Sequence, residues 1–220
     1  MSGLFPEVVF TVRNVAVRDT VLFTWVMMAV IMAAVYAIRR VEPEVGAMLT
    51  ELIVDSLSSI MGRDALPYIT LLGALAVFIG VANVIGVVPV LSSPTRDVNT
   101  PIALALVVFF SVHYYGVRSK GLVAYLREFA DPVFLLPLEI FGQFSRTLAL
   151  ALRLFGNVLS GEMIVAVLFS LVPLIVPLPI VAFNMITGIL QAYIFAVLAA
   201  VYLGAALAAA DDDDGTEPVT

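Results

Sequence analysis

The chain contains no cysteine and only one histidine, His113. Without thiols there is no disulfide, no thiolate nucleophile, no iron–sulfur cluster and no cysteine zinc site. A single imidazole leaves a histidine metal site or a Ser–His–Asp triad short of members. Charge is scarce as well: 13% of the 220 residues are Asp, Glu, Lys or Arg, about half the usual share of a soluble domain at ~25%. Hydrophobic residues make up 62% of the chain and the mean hydropathy is +1.09. Too few polar residues exist to build a water-facing shell, so the composition is that of an integral membrane protein and excludes a soluble enzyme. The formal charge of −6 is misleading, because five of the seventeen acids lie in the tail Asp211 to Glu217. The body is close to neutral, which gives no basis for a nucleic-acid partner or an acidic interaction surface. Met1 to Thr20 lacks the basic start, apolar run and small-residue cleavage site of a signal peptide. No internal repeat is visible, which counts against an inverted-repeat transporter.

What the chain does have is long apolar runs. Val21 to Ile38 is eighteen residues without a charge, enough for about 27 Å of helix, and it stops at Arg39-Arg40. Before it, Glu7 to Asp19 alternates loosely and predicts a short extended segment outside the bilayer. Pro43 to Met61 carries Glu51 and Asp55 on one face and Met48, Leu52, Val54 and Ile60 largely elsewhere. That pattern predicts an amphipathic helix at the membrane surface, and its acidic polar face favours packing on protein over lipid headgroups. Tyr68 to Leu91 is a span with one polar residue, Asn83; the turn-rich Ser92 to Thr100 follows, and Pro101 to Tyr115 returns. The charged stretch Gly116 to Asp131 reads as a surface loop. Two long helices close the chain, from Pro132 to Glu162 and from about Ile180 to Ala210, separated by Pro173, Pro177 and Pro179. At about 46 Å each against a hydrocarbon core of ~30 Å, they must tilt strongly or lie partly across the membrane.

The expected fold is therefore all-α: about five membrane helices, one interfacial amphipathic helix, and a long tilted hairpin at 132–210. Residues 1–20 form an extracytoplasmic segment, 21–210 the membrane domain, and 211–220 a solvated, disordered acidic tail. Orientation follows from the basic residues near the span ends. With the amino terminus outside, Arg39, Arg40, Arg63, Arg118, Lys120 and Arg127 are cytoplasmic and only Arg13, Arg18 and Arg96 lie outside. The carboxyl terminus is then cytoplasmic.

Charges inside apolar helix carry the functional signal, since each costs roughly 2.5 to 3.5 kcal/mol at the bilayer centre. At about 100° per residue from Glu139, Gln143 lies near 40°, Arg146 near −20°, Arg153 near −40° and Asn157 near 0°, one polar stripe, with Glu162 near 140°. Arg146 and Glu139 read equally well as a snorkelling pair near the charged loop. Arg153 does not, because it sits two turns deeper between Leu148–Leu152 and Leu154-Phe155. Its guanidinium is always protonated. It cannot relay protons, but it can hold an opposing carboxylate ionised. On the last helix Asn184, Thr187, Gln191 and Tyr202 form a second stripe. It serves either interhelical hydrogen bonding or a wet seam in which Gln191 faces Arg153.

Ser145-Arg146-Thr147-Leu148-Ala149-Leu150-Ala151-Leu152-Arg153-Leu154-Phe155-Gly156-Asn157, followed by Gly161-Glu162, closely resembles the signature of subunit a of F-type rotary ATP synthases. Leu190-Gln191-Ala192-Tyr193-Ile194-Phe195 with Tyr202 is similar to that family's last helix. Asn83 to Pro89 and Thr95 to Thr100 are similar to an earlier span and its external loop. The resemblance implies a non-catalytic stator with no cofactor and no nucleotide site of its own. Such a stator offers two offset half-channels to a ring of c subunits, is held by peripheral-stalk b subunits in the lipid bilayer, and couples H+ or Na+ flow to ATP synthesis or hydrolysis. It implies that Arg153 is the essential arginine, that Gln191 neighbours it, and that Asn157, Glu162 and Tyr202 line the channels. Arg146, Glu139, Gln143 and Thr187 would be supporting polar positions. Relatives often carry a titratable residue where this chain has Asn184, and Thr147 stands where many have Pro. A sodium-translocating pump of the same family is the alternative. A stand-alone secondary transporter, with Arg153 binding an anionic substrate, is the reading from another class.

Overall fold

The computed structural model describes residues 8–12, 15–86, 93–130, 133–172 and 177–208. Two short antiparallel strands open it, β1 (Val8–Val12) and β2 (Val15–Arg18), with Val12 opposite Val15 and Val8 opposite Arg18. The extended segment expected there is thus a hairpin, the one small departure from an all-helical chain among the described residues. It runs directly into α1 (Asp19–Val41).

Among the described residues five helices are long and apolar enough to cross a membrane: α1, α3 (Ile69–Ile85, preceded by a 3-10 turn from Leu66), α4 (Asn99–Lys120), α6 (Leu136–Leu171) and α7 (Pro177–Ala208). The protein is an all-α integral membrane protein. Helix α2 (Pro43–Met61) has the bounds its apolar pattern predicts. Its acidic residues Glu51 and Asp55 are exposed while Leu57 and Met61 are buried. Met61 lies so close to α7 that a Cβ on Gly204 would sit 3.3 Å from the Met61 Cα and carbonyl oxygen, so α2 packs on protein.

Helix α7 is central. Its buried face is made of small residues punctuated by larger ones: Ala192, Phe195, Ala196, Ala199, Ala200, Leu203, Gly204 and Leu207. Small residues let backbones approach, which is how membrane helices gain packing when lipid removes the hydrophobic drive between them. Leu72, Leu75 and Ile79 of α3, Ala105 and Val108 of α4, and Leu150 and Leu154 of α6 complete that core. Helix α1 stands at the edge: only Thr20 and Met27 are buried, and Trp25 is 73% exposed, a surface that only lipid or another membrane helix can cover.

The α3–α7 contact is the most extensive. Asn83 Nδ2 donates to the Gly188 carbonyl at 2.8 Å, and a Cβ on Gly188 would lie 2.9 Å from the Asn83 Cβ. Gly188→Ala is expected to cost about 1–3 kcal/mol by overpacking, seen as a lower melting midpoint in detergent. Gly73→Ala, where the nearest atom is Ile69 Cδ1 at 3.8 Å, should leave the midpoint unchanged or raise it.

Three expectations change. The stretch from Gly116 is helical: α4 continues to Lys120, Gly121 ends it at φ +82°, and α5 (Leu122–Ala130) follows. Arg118 and Lys120 suit the last turn of a helix, so these charges mark an end where a loop was expected. Helix α6 starts at Leu136, after a 3-10 turn at Val133–Leu135, and runs 36 residues to Leu171, about 54 Å long, because nothing between Glu162 and Pro173 breaks it. Helix α7 begins at Pro177, so Pro177 and Pro179 occupy its first turn, where a missing amide costs nothing. The acidic tail from Asp211, and the far end of the span expected to reach Leu91, lie outside the described residues.

Candidate functional site

The polar residues of α6 and α7 gather at two levels. At the level of the α6 amino-terminal turns, Gln143 Nε2 donates to Glu139 Oε1 at 3.3 Å and Arg146 Nη2 lies 4.0 Å from the same oxygen. The Arg146 guanidinium is 6.0 Å from the ring centroid of Tyr202 on α7, a cation–π distance. These four side chains, with Lys120 and Tyr125, line a cavity of about 300 Å³ between α4, α5, α6 and α7.

The second level lies beyond Arg153. Asn184 Nδ2 donates to the Gly161 carbonyl at 3.1 Å, and a Cβ on Gly161 would sit 2.9 Å from that nitrogen; glycine is what lets the amide in. Glu162 faces the 3-10 turn Pro94–Arg96, whose Arg96 Nε is 3.7 Å from Glu162 Oε2. The turn itself is held by buried hydroxyls. Ser93 Oγ donates to the Ala82 carbonyl at 2.9 Å and lies 2.7 Å from Thr95 Oγ1, which donates to Asn83 Oδ1 at 3.2 Å. Thr187 spends its hydroxyl on the Asn184 carbonyl at 3.0 Å.

Between the two levels stands Arg153, about 10 Å along the axis from Arg146 and about 14 Å from Glu162. Its side chain is exposed on the face of α6 that no other described element covers, and it makes no hydrogen bond or ion pair with a described residue. Ala149, Gly156 and Ser160 share that open surface, and nothing lies within 4 Å of a Cβ built on Gly156. Asn157 is half-buried. Gln191 is buried at 6% exposure with its Nε2 unpaired, and no hydrogen bond joins it to Arg153. The structure thus gathers Glu139, Gln143, Arg146 and Tyr202, brings Asn184 to the Gly161-Glu162 corner, and leaves Arg153 facing outward. Among the described residues no three His, Asp or Glu side chains cluster as a metal site would need.

Lys120, Tyr125, Arg96, Ser93 and Thr95 join these clusters without having been marked as site residues by the sequence. Asn83 carried a signal, as the one polar residue of its span. Arg96 carried a weaker one, as the sole cation of a turn-rich stretch.

Polar side chains threaded between long apolar helices, with a permanent cation midway along one of them, are the arrangement that marks ion and substrate pathways in membrane proteins. Residues 21–204 match the family described as ATP synthase A chain. The chain is 44% identical over 214 residues to ATP synthase subunit a 2 of Bradyrhizobium sp. (strain BTAi1), covering 94% of this chain and 96% of that one. It is 42% identical to ATP synthase subunit a 2 of Acaryochloris marina, covering 87% and 86%. It is 39% identical to ATP synthase subunit a of Nitrosospira multiformis, covering 92% and 87%. The chain belongs to the ATP synthase A chain family, and is a multi-pass protein of a prokaryotic inner membrane with the ion-translocating stator role of that family.

Proposed function

We propose that this chain couples proton flow to ATP synthesis or hydrolysis by offering two half-channels to a rotating ring of c subunits, with Arg153 as the fixed charge between them. The observation that carries this reading is a guanidinium without a partner among the described residues, on an open face of a membrane helix, with one polar cluster toward each end of that helix. The amino terminus is outside, so the cavity of Glu139, Gln143, Arg146 and Tyr202 opens toward the cytoplasm, and the Glu162–Asn184 corner toward the exterior. A ring carboxylate carrying its ion is neutral and can face lipid. Stripped, it is an anion, and Arg153 is the group that can receive it. Asn157 and Gln191 lie between the two paths, and Thr187 belongs to the outer one beside Asn184. Peripheral-stalk b subunits hold the chain against the ring.

Cysteine cross-linking tests the placement of the ring, since the chain has no native cysteine. Ala149→Cys and Ser160→Cys, on the open face, are expected to cross-link to cysteines on the carboxylate-bearing ring helix, and Ala192→Cys, buried in the core, is not. Cross-linking at Ala192→Cys with none at the other two would reject this placement.

Sodium is the second reading, favoured by one observation: Asn184 is a neutral amide, which can orient or coordinate an ion but cannot titrate. Membership in the family favours either form of stator over a stand-alone transporter for an anionic substrate.

A further inference from the structure

We propose that Arg96 is a positioning residue of the outer path: a tethered counter-cation that occupies Glu162 until the transported ion displaces it. The inference rests on the reading that ions pass Glu162 on their way to Arg153. Its support is geometric. Arg96 belongs to a turn fixed by four buried polar groups, the Ser93 and Thr95 hydroxyls, the Asn83 amide and the Ala82 carbonyl. The backbone that carries Arg96 therefore has a defined position, and its Nε is placed by the Glu162 contact at 3.7 Å. Its side chain is 9% exposed and that of Glu162 20%, so the pair is largely shielded from bulk water, where a charge at this distance acts strongly.

Among the residues whose side chains are described, those around Glu162 supply no other cation. Asp97, next along the turn, accepts from the Asn99 backbone amide at 3.1 Å and from Thr20 Oγ1 of α1 at 3.4 Å. Asn184 and Thr187 of α7 are neutral, and α3, the first half of α4, and α7 from Pro177 to Gln191 contain no ionisable side chain. Helix α6 offers only Glu162 itself between Leu154 and Leu171. A monovalent cation reaching Glu162 must therefore compete with Arg96 for the same oxygens. That competition sets how much external ion is needed, and it keeps the carboxylate from holding the ion once it has arrived.

The test is ATP synthesis by the whole complex in sealed vesicles, with the external ion varied in two arms: pH at minimal sodium, and sodium at fixed pH. In the arm of the transported ion, Arg96→Gln is expected to lower the half-saturating external concentration about tenfold, consistent with the ~1–3 pK units by which an adjacent opposite charge biases a carboxylate. In the proton arm this is a shift of about one pH unit to the alkaline side. Arg96→Lys, which keeps the charge, should restore the wild-type midpoint. A lower maximal rate with an unmoved midpoint in both arms would make Arg96 a merely structural residue and overturn the proposal. Glu162→Gln separates this from the parent reading. If it leaves flux intact, the outer path itself is misplaced. If it blocks flux while Arg96→Gln moves no midpoint, only the role given to Arg96 falls.

Discussion

Arg153→Ala is expected to abolish ion-driven ATP synthesis while ATP hydrolysis by the soluble sector persists. The size of the effect follows from electrostatics. Two unit charges about 4 Å apart interact by about 4 kcal/mol at the effective dielectric near a protein surface, and each ~1.4 kcal/mol is a factor of ten. Removing the cation that receives a stripped ring carboxylate should therefore slow the coupled step by roughly three orders of magnitude. Passive leak should rise at the same time, because no fixed positive charge then separates the two polar clusters. Arg153→Lys keeps a positive charge but loses the planar fork, and an ammonium shifts its protonation in a dry site more readily than a guanidinium does; partial activity is expected. Synthesis in vesicles under an imposed gradient, alongside hydrolysis assayed on the same preparation, measures all three. Wild-type ATP-coupled transport by Arg153→Ala would end the mechanism.

The apolar runs and their breakers made most of this fold legible. The bounds of α2 follow from its amphipathic pattern and a proline at its start, and the five spans follow from length and scarcity of charge. Gly116 to Lys120 misled because charged residues near a membrane read as loop, although two of them sit in the last turn of a helix that ends at Gly121. The site was legible along each helix and much less between helices. Periodicity put Glu139, Gln143, Arg146, Arg153 and Asn157 on one stripe, but burial separates them: Arg153 is exposed, while Asn157 and Gln143 are half-buried. A stripe on one helix does not say where its neighbours stop. The pairing of Arg96 with Glu162 joins a turn to a helix far along the chain, and no local pattern encodes such a contact. Gly161 and Gly188 belong to the same class, since their need for a missing Cβ arises from Asn184 and Asn83 on other helices.

The two carboxylates of α6 should respond differently to neutralisation. Glu162→Gln is expected to cut passive ion flux through the membrane sector at least about tenfold, and Glu139→Gln by no more than two- to threefold. Glu139 has 43% of its side chain exposed, beside Gln143 and Arg146 at a wide cavity, where water can solvate an ion without it. Loss of a solvent-screened charge of that kind typically costs about 0–1 kcal/mol, which sets the small bound. Glu162 is 20% exposed and is the only ionisable group of α6 beyond Arg153 among the described residues. Its neighbour on α7 is Asn184, a neutral amide that donates to the Gly161 carbonyl, so α7 supplies no second carboxylate to take over the relay. Dye-quench measurements on vesicles stripped of the soluble sector, normalised to the amount of assembled complex, read the flux directly. Equal flux in the two variants would remove Glu162 from the path, because a group that an ion must visit cannot be as dispensable as one that water can replace.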